Sequence, residues 1–225
     1  MSKKQEIKDP LNVDQALSSS EAYLERNQNK LLGGIAAIVL VILAVMGYKN
    51  FISEPRELGA SEAIFQAEEY FRLGQYEEAL NGDTLGTEGF LTIADKYSGT
   101  AAGNLASAYA GISLAQTGRY ADAVKYLEDF SGDDLVVAPA VVATLGNCYA
   151  QTGKLDKAAQ LLTDAARQAD SQALSPVYLI QAGQIYEKLG KYDEALNVYR
   201  QVKNHYGNSY AAMQIDKYIE RATLK

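Results

Sequence analysis

The sequence predicts an all-α fold, with one long apolar helix near the N-terminus, then a solenoid of about four helix hairpins and a short closing helix. Three observations predict it. An uncharged apolar run covers residues 31–48, a glycine-centred octet recurs four times, and residues 209–223 carry a final amphipathic pattern. The 225 residues are 48% hydrophobic and 22% charged, the composition of a packed domain rather than a disordered chain. With 28 acids against 21 Lys and Arg the net charge is -7. That balance disfavours a phosphate-binding surface, so nucleic acid is not an expected partner.

The run at 31–48, LLGGIAAIVLVILAVMGY, is bounded by Lys30 and Lys49. As a helix it reaches about 27 Å, close to the hydrocarbon thickness of a bilayer, and flanking lysines suit the interface. It reads as a transmembrane helix in contact with the lipid bilayer. The run is too long, and the charged region before it too extended, for a cleaved signal peptide, which leaves an uncleaved anchor. Gly33 and Ala37 have small-xxx-small spacing within it. Residues 1–30 carry five bases (Lys3, Lys4, Lys8, Arg26, Lys30), whereas residues 49–71 carry two, Lys49 and Arg56. The charge rule therefore puts the tail, 1–30, in the cytoplasm and the larger domain on the far side. Within the tail, residues 14–29 show a partial helical stripe of Ala16, Leu17, Tyr23 and Leu24. It is either a docking helix, an extension of the span or a mobile tail. Residues 49–57 are expected as a linker.

After the linker the chain repeats itself. LGQYEEAL (73–80), TGRYADAV (117–124), TGKLDKAA (152–159) and LGKYDEAL (189–196) share glycine, any residue, an apolar residue, two mostly polar residues and alanine. The glycines Gly74, Gly118, Gly153 and Gly190 stand at intervals of 44, 35 and 37 residues. Glycine lets the first helix of a hairpin end in a left-handed turn. The alanines Ala79, Ala123, Ala158 and Ala195 let two helices approach closely. Seven residues before each glycine stands another small residue: Ala67, Gly111, Gly146 or Gly183.

In the third unit the string Leu145, Gly146, Tyr149, Gly153, Ala158, Leu162, Ala165 matches the tetratricopeptide (TPR) pattern, so residues 58–225 resemble TPR proteins. The first large aromatic of that pattern is absent, with Val142 and Leu179 in its place. Units are expected near 58–100, 101–135, 136–172 and 173–208, with a capping helix at 209–223 bearing Tyr210, Met213, Ile215, Tyr218 and Ile219. The first unit is interrupted at 81–89, NGDTLGTEG, after which the second helix restarts; this is a binding loop or a tolerated insertion. Ser175 before Pro176 reads as an N-cap. The resemblance implies a groove on the first helices of the units. Its candidate lining is Ile64 and Glu68, then Leu105, Ala108 and Ile112, then Ala143 and Asn147, then Ile180 and Gln184. None is basic, which disfavours capture of a terminal carboxylate and suits an amphipathic helix or an extended apolar segment, unless the chain's own terminal helix fills the groove.

Nothing points to catalysis or a cofactor. No hydrolase, zinc-protease or P-loop motif occurs. One cysteine, Cys148, and one histidine, His205, leave no metal cage; the first suits core packing, the second a helix end. A short inner tail, one span and an acidic TPR region together resemble the ancillary Sec translocon subunits of bacterial inner membranes. That resemblance implies a single-pass inner-membrane protein with a periplasmic TPR domain, partnering the translocon, envelope chaperones or their clients. A structural assembly protein of the envelope is the alternative. The oligomeric state is open.

Overall fold

The computed structural model describes residues 13–225, with side chains from residue 24. The first 12 residues, with Lys3, Lys4 and Lys8, lie outside the described residues, as do the side chains of Ala16, Leu17 and Tyr23. Two compact units divide at Pro55 and Arg56.

In the first unit, α1 runs Val13–Tyr48. The backbone of the tail stripe is thus part of the same helix as the apolar run, which is the extension reading. None of that run is buried, and Leu32, Leu40 and Val41 are exposed on different sides. A helix apolar all round and bare within its own unit needs a nonpolar medium or partner. One π-helical turn, Lys49–Ser53, follows. Residues 49–57 are therefore helical, since α2 begins at Glu54.

The second unit is built of helix pairs. α2 (Glu54–Arg72) pairs with α3 (Tyr76–Asn81) and α4 (Phe90–Lys96), the two halves of an interrupted second helix. Then come α5 (Ala101–Gln116) with α6 (Tyr120–Asp129), α7 (Val137–Gln151) with α8 (Leu155–Ala169), and α9 (Ser175–Lys188) with α10 (Tyr192–His205). A 3₁₀ turn, Tyr210–Gln214, and α11 (Ile215–Thr223) close the array. Among the described residues the only β-type pairing is an isolated bridge between Gly82 and Glu88.

Each hairpin turns in the same way. Gly74, Gly118, Gly153 and Gly190 have φ of 73°, 78°, 83° and 72°. The residue after each donates its N–H to a carbonyl five residues back, at Tyr70, Leu114, Tyr149 and Tyr186 over 2.8–2.9 Å. This is the six-to-one bond of a left-handed helix terminus. The same residue, Gln75, Arg119, Lys154 or Lys191, then opens the next helix by accepting from Ala79, Ala123, Ala158 or Ala195. All four alanines are fully buried.

Close approach explains the small residues of the first helices. A Cβ on Gly111 would lie 2.5 Å from Leu127 Cγ, and one on Gly183 would lie 2.3 Å from Tyr199 Cε1. At Gly146 the nearest atom, Leu162 Cγ, would be 3.1 Å away. Two cores result, a main one from α2 to α9 and a smaller one around Tyr199, Val202 and Ile215.

Two local expectations are corrected. Ser175 is not an N-cap: Leu174 holds that position, and the Ser175 hydroxyl is buried, donating to Ala166 O at 2.7 Å and accepting from Ser171 N at 2.9 Å. It fastens α8 to α9. Nor is 209–223 one helix. Ser209 caps a 3₁₀ turn by accepting from Ala212 N, which turns Ala212 inward and leaves Tyr210 and Met213 87% and 77% exposed.

We expect Gly183→Ala to destabilise the chain by about 1–3 kcal/mol through overpacking against Tyr199. Gly190→Ala should cost about 1–2 kcal/mol through its left-handed φ. Denaturant titration of the full chain followed by circular dichroism measures both, and Gly146→Ala should be the mildest of the close-approach replacements.

Candidate functional site

The first helices of the last three hairpins, α5, α7 and α9, are almost free of charge, whereas α2 carries Glu54, Arg56, Glu57, Glu62, Glu68, Glu69 and Arg72. α5 (AAGNLASAYAGISLAQ) and α7 (VAPAVVATLGNCYAQ) contain no Asp, Glu, Lys or Arg, and α9 has none before Glu187. The second helices carry the charge, as in YADAVKYLED of α6 and YDEALNVYRQVKNH of α10. This segregation follows from helix periodicity, because α6, α8 and α10 each bury one stripe and solvate the other.

The expected groove residues divide. Asn147 and Gln184 are exposed, and Glu68, Leu105, Ile112 and Ile180 are half-buried, so these six can meet a ligand. Ile64, Ala108 and Ala143 are buried in the main core, which corrects their assignment to an open groove. The reason is the helices' small side chains: neighbours come so near that nine of the sixteen residues of α5 are buried. The expected repeat residues Gly74, Ala79, Gly118, Ala123, Gly153, Ala158, Gly190 and Ala195 stand in the turns, with Gly146 and Gly183 at the crossings.

Several fastenings had no clear sequence signal. Arg56 Nη2 donates to Lys96 O at 3.1 Å and Ser98 O at 3.3 Å, at the end of α4. Glu57 accepts from Ala101 N at 2.8 Å and Ala102 N at 3.0 Å, so its carboxylate occupies the N-terminus of α5. Adjacent turns are tied by ion pairs, Arg119 to Glu77 at 3.0 Å and Lys191 to Asp156 at 2.7 Å. Each joins the residue after a turn glycine to an acid just past the glycine of the preceding unit. As exposed pairs they contribute about 0–1 kcal/mol each. At the C-terminal end Glu187 accepts from Arg221 and from Tyr199, binding α11 to the last hairpin.

The interruption at 81–89 is a closed loop built on Asp83. Its carboxylate accepts from Leu85 N, Thr87 N and Thr87 Oγ1 at 2.8–2.9 Å and from Tyr70 OH at 2.6 Å. The Tyr70 hydroxyl first, then the Thr87 amide, hold the Asp83 carboxyl well below the usual carboxylate range. Leu85 at the tip is 91% exposed.

A polar cleft of about 670 Å³ lies between the end of α4, the start of α5 and the end of α6, with Asp95, Asn104, Ser107 and Asp129 on its walls. It has no nucleophile paired with a base. Asn104 is spent on Ser131, donating to its carbonyl at 2.7 Å and accepting from its amide at 2.9 Å. Among the described residues no three His, Cys, Asp or Glu come together as metal ligands. Burial pushes the Cys148 thiol up to about 11, so it stays a packed thiol rather than a nucleophile.

A family model described as tetratricopeptide repeat matches residues 178–209, which take in most of α9 and all of α10. No curated protein matches the chain. Among solved structures it is similar to kinesin light chain nearly identical TPR-like repeats from Podosopora anserina. A form of that protein with one glutamine replaced by methionine shares 15% identity, with 77% of this chain and 88% of that one covered and a TM-score of 0.56. Another crystal structure of it shares 14%, with 73% and 85% covered and a TM-score of 0.55. The second unit is thus a TPR-like α-solenoid, a fold of stacked helix hairpins, with a recognisable tetratricopeptide repeat in its last hairpin.

Three outcomes are expected here. Asp83→Asn should speed amide exchange across 82–89 in the full chain and leave α5–α10 unchanged. For the unaltered protein, a depressed folded pKa means that the Asp83 contribution is complete above about pH 4, the ordinary carboxyl value, and is lost only as pH falls below it. Exchange of the loop should accordingly stay constant, after correction for intrinsic rates, from neutrality to that pH and accelerate beneath it. Separately, Cys148 should react with a thiol reagent only at the rate of unfolding.

Proposed function

We propose that this protein is a membrane-tethered scaffold that binds other polypeptides and performs no reaction of its own. The apolar run 31–48 is the tether, with the N-terminus cytoplasmic and the solenoid in the periplasm, in accord with the excess of bases before the span. The partners are translocon components, envelope chaperones or the chains they handle. The observation that carries this reading is the near absence of charge on the first helices α5, α7 and α9. A partly exposed layer with little charge, on a solenoid with a net negative remainder, suits a polypeptide face rather than a small charged substrate. Tethering concentrates the solenoid at the membrane, so modest affinities suffice.

The exposed apolar side chains of Leu58 and Phe65 on α2 favour a second reading, an assembly protein that associates through the first end of the solenoid. Sedimentation of the full chain in detergent separates the two, because the assembly reading requires a concentration-dependent oligomer that Phe65→Glu dissolves.

For the scaffold, photocrosslinkers placed in cells at Asn147 and Gln184 should capture polypeptides of the export machinery, and crosslinkers at exposed sites of α10 should not. Equal capture from both layers, or none from Asn147 and Gln184, overturns it. Digestion of the solenoid by protease supplied from the cytoplasmic side overturns the orientation.

A further inference from the structure

Two exposed apolar features belong to the first and last elements of the solenoid, and their surroundings carry opposite charge. In the first element, Leu58 and Phe65 project from α2, 63% and 69% exposed, and their spacing of seven residues puts them on one side of the helix. Among the last elements, a trough of about 330 Å³ lies between Val177 and Ile180 of α9 and Tyr210, Met213 and Tyr218 near the C-terminus. No charged residue lines it, and Tyr210 and Met213 form an exposed rim. The chain as a whole is acidic, yet its charges are sorted. α2 has five acids against two bases, a net of -3, whereas residues 200–225 have five Lys and Arg against two acids, a net of +3. Glu62 shares a shallow concavity with Phe65, and Lys217 adjoins Tyr218 in the chain. Neither has an ion-pair partner among the described residues.

We propose that copies of this chain associate head to tail, the Phe65 ring of one copy seated in the trough of the next and Glu62 facing the basic stretch around Lys217. This rests on the assembly reading and names the surface that the first end of the solenoid meets. Charge selects the occupant. A symmetric pair through α2 would set a net -3 against itself. A symmetric pair through the trough would set +3 against itself and join two hollows, which leaves their apolar walls unfilled. A bilayer surface, with its anionic headgroups, repels the acids around Phe65. The crossed pairing instead brings a protruding ring to an uncharged hollow, and acids to bases at the rim. One such contact leaves a trough free on one copy and a Phe65 free on the other, so it repeats into a chain or closes into a ring.

The test is sedimentation of the full chain in detergent over a range of concentrations, with the chain carrying both Phe65→Glu and Met213→Glu as the measure of any contact through the apolar run. The unaltered protein should grow beyond dimers as concentration rises. Phe65→Glu and Met213→Glu, both at exposed positions that leave the circular dichroism unchanged, should each weaken association about ten-fold or more. Mixed one to one, the two single variants should associate within about two-fold of the unaltered affinity but stop at pairs, since each keeps one of the two surfaces. That recovery also shows that both variants are folded. Raising salt from about 50 to 500 mM should weaken association about three-fold or more. A mixture no stronger than its components, or association unchanged or strengthened by salt, overturns the proposal. If Phe65→Glu dissolves the oligomer and Met213→Glu does not, head-to-tail docking fails while assembly through the first end stands. A monomer at every concentration, or an oligomer indifferent to Phe65→Glu, overturns both.

Discussion

The solenoid depends on the distance at which paired helices meet. Where Gly183 faces Tyr199 and Gly111 faces Leu127 there is no room for a methyl group, and the partner alanines of the second helices have no accessible surface at all. Backbones this close gain dispersion contacts along their length without large side chains, which is how a domain without tryptophan builds a core mainly from alanine, leucine and tyrosine. Glycine at the turn serves the same constraint, since a left-handed terminus lets the chain reverse at once and the second helix start within contact range.

Intimate pairing also decides the surface. The inner first helices α5 and α7, flanked by neighbours on several sides, bury so much of their circumference that charge has little place on them. Each second helix keeps a solvated stripe that carries acids and bases. A face without charge is thereby a by-product of architecture before it is a binding feature. The few polar groups that remain on it include Asn147, Gln181 and Gln184.

Local rules made the repeat legible. The turn glycines and the alanines five residues later are read from spacing alone, because the bonds that need them close within six residues. The interruption at 81–89 was legible as a break, but not as a structure, since Asp83 gains its role from Tyr70, a residue on α2. The groove was legible only in part. Ile64, Ala108 and Ala143 sit at positions that face outward in a helix of ordinary spacing, and here the neighbouring helices come too near. Ser175 beside Pro176 has the form of a cap, yet its hydroxyl was claimed by Ala166 across the turn. Arg56 and Glu57 gave no sign, because their partners lie 40 to 45 residues away.

Those two neighbours carry a mechanical consequence. Arg56 grips the tail end of one helix and Glu57 the leading end of the next, at the very point where the chain enters the solenoid. Any tension arriving along the backbone from the N-terminal side is shared across three helices before it can peel α2 away. The anchorage behaves as a yoke, spreading a point load over the first hairpins.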